Sequence, residues 1–297
     1  MNLWQEYLRP TNLLQALKAF AEASGPVLPI AGGTDLLLDL EQGRHSPVHT
    51  LVDVTSIAEM TALEVRGQEL FIGAALPVNR IVLDPLVGAH ARALTEACNL
   101  IAGPQVRNVA TLGGNVAHAL PAADGTIALL ALHAIAEIAS APAAVPGGVS
   151  THRVPFKELF LGPGKSSLKH GQELLVGFYL PLSQKGQASC FKRIMRPQGL
   201  ALPIINLAIW LERVDDVICQ IRIAVGPGGP TPWSSTEAEK ALLGKTLNDE
   251  TFNAPLQALP AHVGFPSTAP PPRADPRRHT PRRLFKDVLE TAWERAE

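Results

Sequence analysis

A chain of 297 residues, 46% of them apolar, is long enough for one large domain or two to three ordinary ones with real cores. A formal net charge of -1 excludes an overall field that would draw the chain to nucleic acid or to an anionic membrane. Three cysteines, Cys98, Cys190 and Cys219, form no C-x-x-C pair; this argues against zinc, an iron–sulfur cluster or a disulfide framework and predicts that each packs as a small buried hydrophobe.

The start, "MNLWQEYLRPTNLL", lacks the basic residues, apolar core and cleavage site of a secretory signal, so a cytoplasmic protein is expected. "PTNLLQALKAFAEA" reads as a helix that Thr11 can cap, with Leu13, Leu14, Leu17, Phe20 and Ala21 at helical spacing. Next come a strand "VLPIA", the pair Gly32-Gly33, a second strand "HTLVDVTSI", and "LEVRGQELFIGA" as a hairpin turning at Arg66-Gly67. "PLVGAHARALTEACNLIA" reads as one helix, and "VRNVATL" as an apolar strand running into Gly113-Gly114. Beyond it, Thr126 is placed to cap a buried helix "IALLALHAIA". The run "TIALLALHAIAEIA" is too short to cross a bilayer and is broken by His133 and Glu137. No H-E-x-x-H spacing occurs among the nine histidines, and His118 alone stands near a candidate site.

"SAPAAVPGGVSTHRVP" reads as a domain break or a surface loop. "HGQELLVGFYLPL" is a strand ending at proline, and "ALPIINLAIWLERVDDVICQIRIAVG" is two long strands turning at Val214-Asp215-Asp216. "SSTEAEKALLG" is a helix that ends at Gly244, residues 260 to 281 form a proline-rich linker, and "PRRLFKDVLETAWERA" closes the chain as a helix. The apolar face of that last helix is Phe285, Val288, Leu289 and Ala292. Arg273, Arg277, Arg278, Arg282 and Arg283 gather just before it, as a solvated surface or a docking patch. Strands and helices are interspersed without the strand–helix alternation or the G-x-G-x-x-G turn of a doubly wound dinucleotide fold, so the class is α+β.

Two glycine pairs invite a common explanation. Glycine reaches positive φ without steric cost and lets a ligand approach the main chain, although Gly-Gly after a strand is also an ordinary way to turn. Consecutive amides in such loops can converge on an anion. Thr34 and Thr111 add hydroxyls, and Asn115 and Asp124 add an amide and a carboxylate able to read a heterocycle or a ribose. Asp35 would repel bare phosphate unless its carboxylate binds a hydroxyl or a main-chain N–H instead, and the Gly-Lys-Ser/Thr of a P-loop is absent, so a bulky dinucleotide laid across both loops is expected.

In order along the chain, "LPIAGGTDLLLDL", "GPQVRNVATLGGNVAHALPAADGTIALLAL", "HGQELLVGFYLP", "CFKRI" and "IRIAVGPGGPTPWSSTEAEKALLGK" resemble the FAD-binding medium subunit of the molybdenum hydroxylases, the xanthine dehydrogenase and carbon monoxide dehydrogenase group. The similarity runs over roughly residues 3 to 297. It implies an α+β, PCMH-type or vanillyl-alcohol-oxidase-like FAD-binding domain of two subdomains over residues 1–182. A smaller α/β domain, of the carbon monoxide dehydrogenase flavoprotein C-terminal type, is implied over 188–297.

Carried over by position, Pro29, Ile30, Ala31, Gly32, Gly33, Thr34, Asp35 and Leu36 are implied to cradle FAD together with Thr111, Leu112, Gly113, Gly114 and Asn115. Ile101 is implied as the apolar neighbour of the flavin, Asp124 as its polar-edge partner, Leu168 as a packing contact and Lys192 as the lysine near the isoalloxazine. Two departures stand out: "PQGLALPI" lacks the acidic residue common in such subunits, and His118 replaces a small residue.

The resemblance further implies an oxidoreductase subunit with neither a catalytic residue nor a metal of its own. Molybdenum cofactor and 2Fe-2S clusters would sit in partner large and small subunits, in a dimer of heterotrimers, and FAD would pass electrons to NAD+, a quinone or oxygen. Rival readings are a free-standing FAD oxidase of an alcohol or amine, for which His118 is the one candidate for a covalent flavin link, and a scaffold subunit that has lost the cofactor.

Overall fold

The computed structural model describes residues 2–141, 148–195, 203–248, 251–258 and 281–297. In chain order, β1 (Glu6–Leu8), α1 (Leu13–Glu22), β2 (Val27–Ile30), α2 (Leu36–Glu41), β3 (Thr50–Asp53) and α3 (Ala58–Thr61) come first, then β4 (Leu63–Arg66) and β5 (Glu69–Gly73). Helices α4 (Val78–Leu83), α5 (Pro85–His90), α6 (Arg92–Leu100), α7 (Pro104–Arg107), α8 (Leu112–Ala117) and α9 (Asp124–Ala131) follow. Strands β6 (Ile135–Ser140), β7 (Ser150–Pro155), β8 (Phe160–Gly162), β9 (Lys165–Ser166) and β10 (Glu173–Pro181) come next. Then come β11 (Gln187–Met195), β12 (Pro203–Val214), β13 (Val217–Gly226), β14 (Trp233–Ser234), α10 (Thr236–Leu242), α11 (Asn253–Ala258) and α12 (Pro281–Arg295).

Two compact units divide the chain, one of residues 1–81, 103–119 and 134–180, the other of 82–102, 120–133 and 181–297. The first carries a three-stranded parallel sheet in the order β1-β3-β2 and a five-stranded sheet in the order β4-β5-β10-β6-β7. Parallel pairing needs crossover connections, and α1 and α2 lie in them. Ile30, Val48 and Leu51 form the buried core of the parallel sheet, with Leu28, Leu36 and Leu37 packed against it. The β6–β7 pairing runs from Ile135↔Pro155 to Ser140↔Ser150, so the stretch read as a break or a loop begins at the end of β6 and ends in β7, its partner in one sheet.

The second unit is a four-stranded antiparallel sheet in the order β11-β12-β13-β14, and the long hairpin turns where Val214 pairs with Val217. Because successive side chains alternate between faces, Cys190, Ile194, Leu207, Ile209, Ile223 and Val225 share one face. They pack there with Ala238 and Leu242 of α10 and with Phe285, Val288, Leu289 and Ala292 of α12. The opposite face meets α6 and α9.

Several local expectations change. Asn12 caps α1 by accepting from Gln15 N at 2.9 Å, while the main chain and hydroxyl of Thr11 both engage Gln15 Oε1. The helix expected over 85–102 is two, broken at Ala91, whose φ of -141° and ψ of 50° are not helical. The residues before Gly113 form no strand: α7 precedes them, and the glycines lie in the first turn of α8. Thr126 sits inside α9, whose cap position is Ala123; the helix ends by Leu132, His133 takes φ 60°, and "AIAEIA" continues into β6. Cys98 and Cys190 are buried as expected, but Cys219 is exposed. The linker, apart from Pro281, and Arg273, Arg277 and Arg278 lie outside the described residues. Arg282 donates to Asn253 Oδ1 at 3.1 Å, and Arg283 pairs with Asp287 at 2.7 Å.

Candidate cofactor-binding site

In the first unit, the C-terminal end of β2 and the start of α8 face one cleft of about 150 Å³. Pro29, Ala31, Val54, Ala74, Ala75, Thr111, Gly113, Gly114 and Ala117 line it, with Ser166, Leu168, Lys169, His170 and Glu173 of the segment leading into β10. At that volume, below the roughly 300–1,000 Å³ of a complete small-molecule pocket, the cleft is too small to enclose a whole dinucleotide.

The glycine pairs differ in what they do. A Cβ on Gly32 would overlap the Val109 carbonyl, and one on Gly113 would stand 2.5 Å from the Ala74 oxygen; at both, the missing side chain makes room for neighbouring main chain. Gly33 has φ 69°, in the left-handed region, and its carbonyl accepts from Leu37 N at 2.9 Å as α2 begins. Gly114 is the open one: a Cβ there meets nothing nearer than the Thr111 hydroxyl at 3.1 Å.

The amides differ too. In the second loop they are committed: Gly113 N donates to Ala74 O at 2.8 Å, Asn115 N to Thr111 O at 3.0 Å, and Gly114 N to Thr111 Oγ1 at 3.1 Å as the helix cap. This departs from the expectation that both loops offer donors. Among the described residues, the amides of Gly32, Gly33, Thr34 and Asp35 have no partner. The Asn115 Oδ1 atom is buried and likewise unpartnered. The run of uncommitted donors directly follows the cleft-lining Ala31, and the unpaired acceptor directly follows the cleft-lining Gly114; donors of that kind suit a phosphate, and such an acceptor suits a heterocyclic N–H.

Of the other expected residues, Ile30 is buried in the parallel-sheet core and Leu36 packs against it. Leu112 is fully buried. Asp35 holds the cap position of α2 without a side-chain cap bond. His118 ends α8 and donates its amide to Gly114 O at 3.1 Å.

Ile101, Asp124 and Lys192 belong to the second unit. Ile101 ends α6, its amide donating to Cys98 O at 3.2 Å. On β11, alternation sends Lys192 to the α12 face, where its ammonium donates to Asp287 O at 3.2 Å and Thr291 Oγ1 at 3.1 Å. Arg193 points to the α9 face and forms a buried ion pair with Asp124 Oδ2, while Asn206, its cross-strand neighbour on β12, donates to Asp124 Oδ1 at 2.7 Å. Burial raises the Asp124 carboxyl above its ordinary value; the Asn206 hydrogen bond and the Arg193 charge oppose that rise. Arg193, Asn206, Lys169 and Glu173 belong to no motif in the sequence that points to a site. Position next to Lys192 and Leu168 was the only signal for Arg193 and Lys169.

A parallel strand end, a helix start and the approach to a β-strand meet at one cleft, an arrangement that suits a dinucleotide-binding flavoprotein domain. A family described as "FAD binding domain in molybdopterin dehydrogenase" matches residues 3–183, and one described as "CO dehydrogenase flavoprotein C-terminal domain" matches 189–292. The chain is 33% identical over 251 residues to the xanthine dehydrogenase FAD-binding subunit of Escherichia coli O157:H7, covering 84% of this chain and 82% of that one. It is 28% identical to the carbon monoxide dehydrogenase medium chain of Hydrogenophaga pseudoflava, over 98% and 97% of the two. The solved carbon monoxide dehydrogenase of the same organism, in a form lacking the Mo-pyranopterin moiety, superposes with a TM-score of 0.83 at 26% identity, covering 98% of each chain. The chain thus belongs to the FAD-binding medium subunits of the xanthine and carbon monoxide dehydrogenase family, and it is an oxidoreductase flavoprotein whose own cofactor is FAD.

Proposed function

We propose that the cleft of the first unit holds FAD with its diphosphate on the open amides of Gly32 to Asp35, while Thr111, Gly113 and Gly114 form the opposing wall and Leu168 an apolar contact. The observation that carries this reading is the convergence of Ala31, Thr111, Gly113, Gly114 and Leu168, far apart in sequence, on one cleft. Asn115, with a buried oxygen left unpaired, is the side chain available to a donor on the cofactor. Ile30, Leu36 and Leu112 act from beneath, by fixing the two loops to the core. For Ile101, Asp124 and Lys192 the proposal of cofactor contact rests on the resemblance.

FAD, when bound, supplies the exchange of one or two electrons. In the assembly we propose, an iron–sulfur small subunit delivers electrons that a molybdenum-cofactor large subunit takes from its substrate, this chain hands them to NAD+, a quinone or oxygen, and two such heterotrimers pair. No helix among the described residues is long and apolar enough to cross a membrane.

Gly114→Leu tests the reading, because it adds bulk at an exposed, cleft-lining position where a Cβ meets only the Thr111 hydroxyl, which must give slightly at 3.1 Å. The expected result is a native thermal melt for the flavin-free chain together with FAD uptake reduced at least about tenfold, equivalent to about 1.4 kcal/mol. Native uptake by the folded variant overturns the placement. Copurification with subunits that carry molybdenum and iron–sulfur clusters tests the assembly.

A further inference from the structure

We propose that Lys169 is the fixed cation that meets the cofactor's diphosphate in this cleft, and that Glu173 aims it. This rests on the reading of the cleft as the FAD site. A dinucleotide brings two negative charges, and the amides of the second loop are already committed to Ala74 and Thr111. Among the described residues lining the cleft, Lys169 is the one lysine or arginine. Lys192, which the resemblance nominates, directs its ammonium to Asp287 and Thr291 instead.

The turn around Lys169 is built to hold it. Its carbonyl accepts from Gln172 N at 3.1 Å and Glu173 N at 3.0 Å, and Gly171 supplies the φ of 68° that closes the turn against Val27. Glu173, the first residue of β10, accepts from Lys169 N with Oε2 at 3.0 Å and pairs with Lys169 Nζ through Oε1 at 3.3 Å. Both carboxylate oxygens are thus taken up by one residue. The Glu173 side chain is 12% exposed and that of Lys169 is 69% exposed. The pair therefore presents its positive end outward, with ammonium hydrogens left for a further acceptor. A point charge suits a phosphate whose exact orientation the backbone amides of the other loop determine.

The test uses the full chain, stripped of flavin and reloaded with FAD at several salt concentrations. Lys169→Met should weaken FAD binding about tenfold, or about 1.4 kcal/mol, and flatten its salt dependence, because one screened charge contact is gone. Lys169→Arg should restore both affinity and salt response, and Glu173→Gln should fall between. The melting temperature without FAD is read for each variant; Lys169 is 69% exposed, so water can solvate the Glu173 carboxylate from that side and the fall should be small. Native affinity and salt response in Lys169→Met overturn the assignment of Lys169. If Gly114→Leu also binds FAD normally, the cleft reading has failed; if Gly114→Leu loses FAD while Lys169→Met does not, only the role of the lysine has failed.

Discussion

Replacing Arg193 with methionine probes how strongly the second unit depends on one neutralised carboxylate. The Asp124 side chain is 5% exposed and that of Arg193 8%, so the solvent screening that makes surface pairs weak is missing. Methionine keeps much of the aliphatic volume, and Asn206 still donates to Asp124 Oδ1, but Oδ2 loses its partner. Leaving one member of a buried pair uncompensated costs about 3–5 kcal/mol, a large part of the about 5–15 kcal/mol that holds an ordinary domain folded.

The pH dependence has a definite sign. Burial lifts the folded-state value of Asp124 above its ordinary 3.8. Its contribution to stability is therefore full below 3.8 and is lost as pH rises through the raised value. Removing the cation lifts that value further and deepens the loss, so the cost of Arg193→Met is greatest near about pH 7 and shrinks toward about pH 4. Urea unfolding at both pH values measures it, with fluorescence from Trp210, Trp233 and Trp293, all in this unit. Adding Asp124→Asn should recover part of the loss, because the uncompensated charge goes with it. A cost under about 1 kcal/mol at neutral pH, or one unchanged on acidification, refutes the reasoning.

Other substitutions test other parts of the argument. Gly32→Ala forces a methyl into the Val109 carbonyl and within 2.9 Å of Ala110 Cα, so a destabilisation of about 1–3 kcal/mol is expected, read from the midpoint of urea unfolding. Lys192→Met removes two hydrogen bonds to α12 and should cost about 2 kcal/mol in the same assay. In that variant, an unchanged flavin affinity and midpoint potential would remove Lys192 from the cofactor contacts. Burial and the nearby Glu96 push the Cys190 thiol up to about 12, and Cys98 is also buried, so iodoacetamide at neutral pH should label Cys219 in the folded chain and the other two only after denaturation. Peptide mass spectrometry locates the label, and rapid modification of Cys190 in the folded chain would contradict its burial.

Much of the architecture is written locally. The β12–β13 hairpin could be read because apolar alternation runs through both strands and Asp215-Asp216 interrupts it. The face of α12 could be read because Phe285, Val288, Leu289 and Ala292 recur at helical spacing. Reading failed where local preference and tertiary packing disagree. "VRNVATL" is rich in β-branched residues, yet only Thr111 pairs, in an isolated bridge with Pro77, while the rest falls in α7, at the start of α8 or in the turn between them, where Val109 lies against Gly32. Nothing local marks the break at Ala91, which an apolar run disguises as one continuous helix.

By itself, the sequence determined the residue types at each loop: glycines where the main chain is crowded or left-handed, a threonine able to cap α8, and a family pattern that names FAD. Tertiary structure alone decided which of those groups are free to act. An amide binds a phosphate only if no carbonyl has taken it, and that depends on what packs against it: Ala74 and Thr111 occupy the second loop, while nothing described occupies the first. Charge follows the same logic. Strand alternation turned Lys192 toward α12 and Arg193 toward Asp124, and a turn closed by Glu173 brought Lys169 to the cleft, because the direction of a side chain is set by the fold around it and not by its neighbours in sequence.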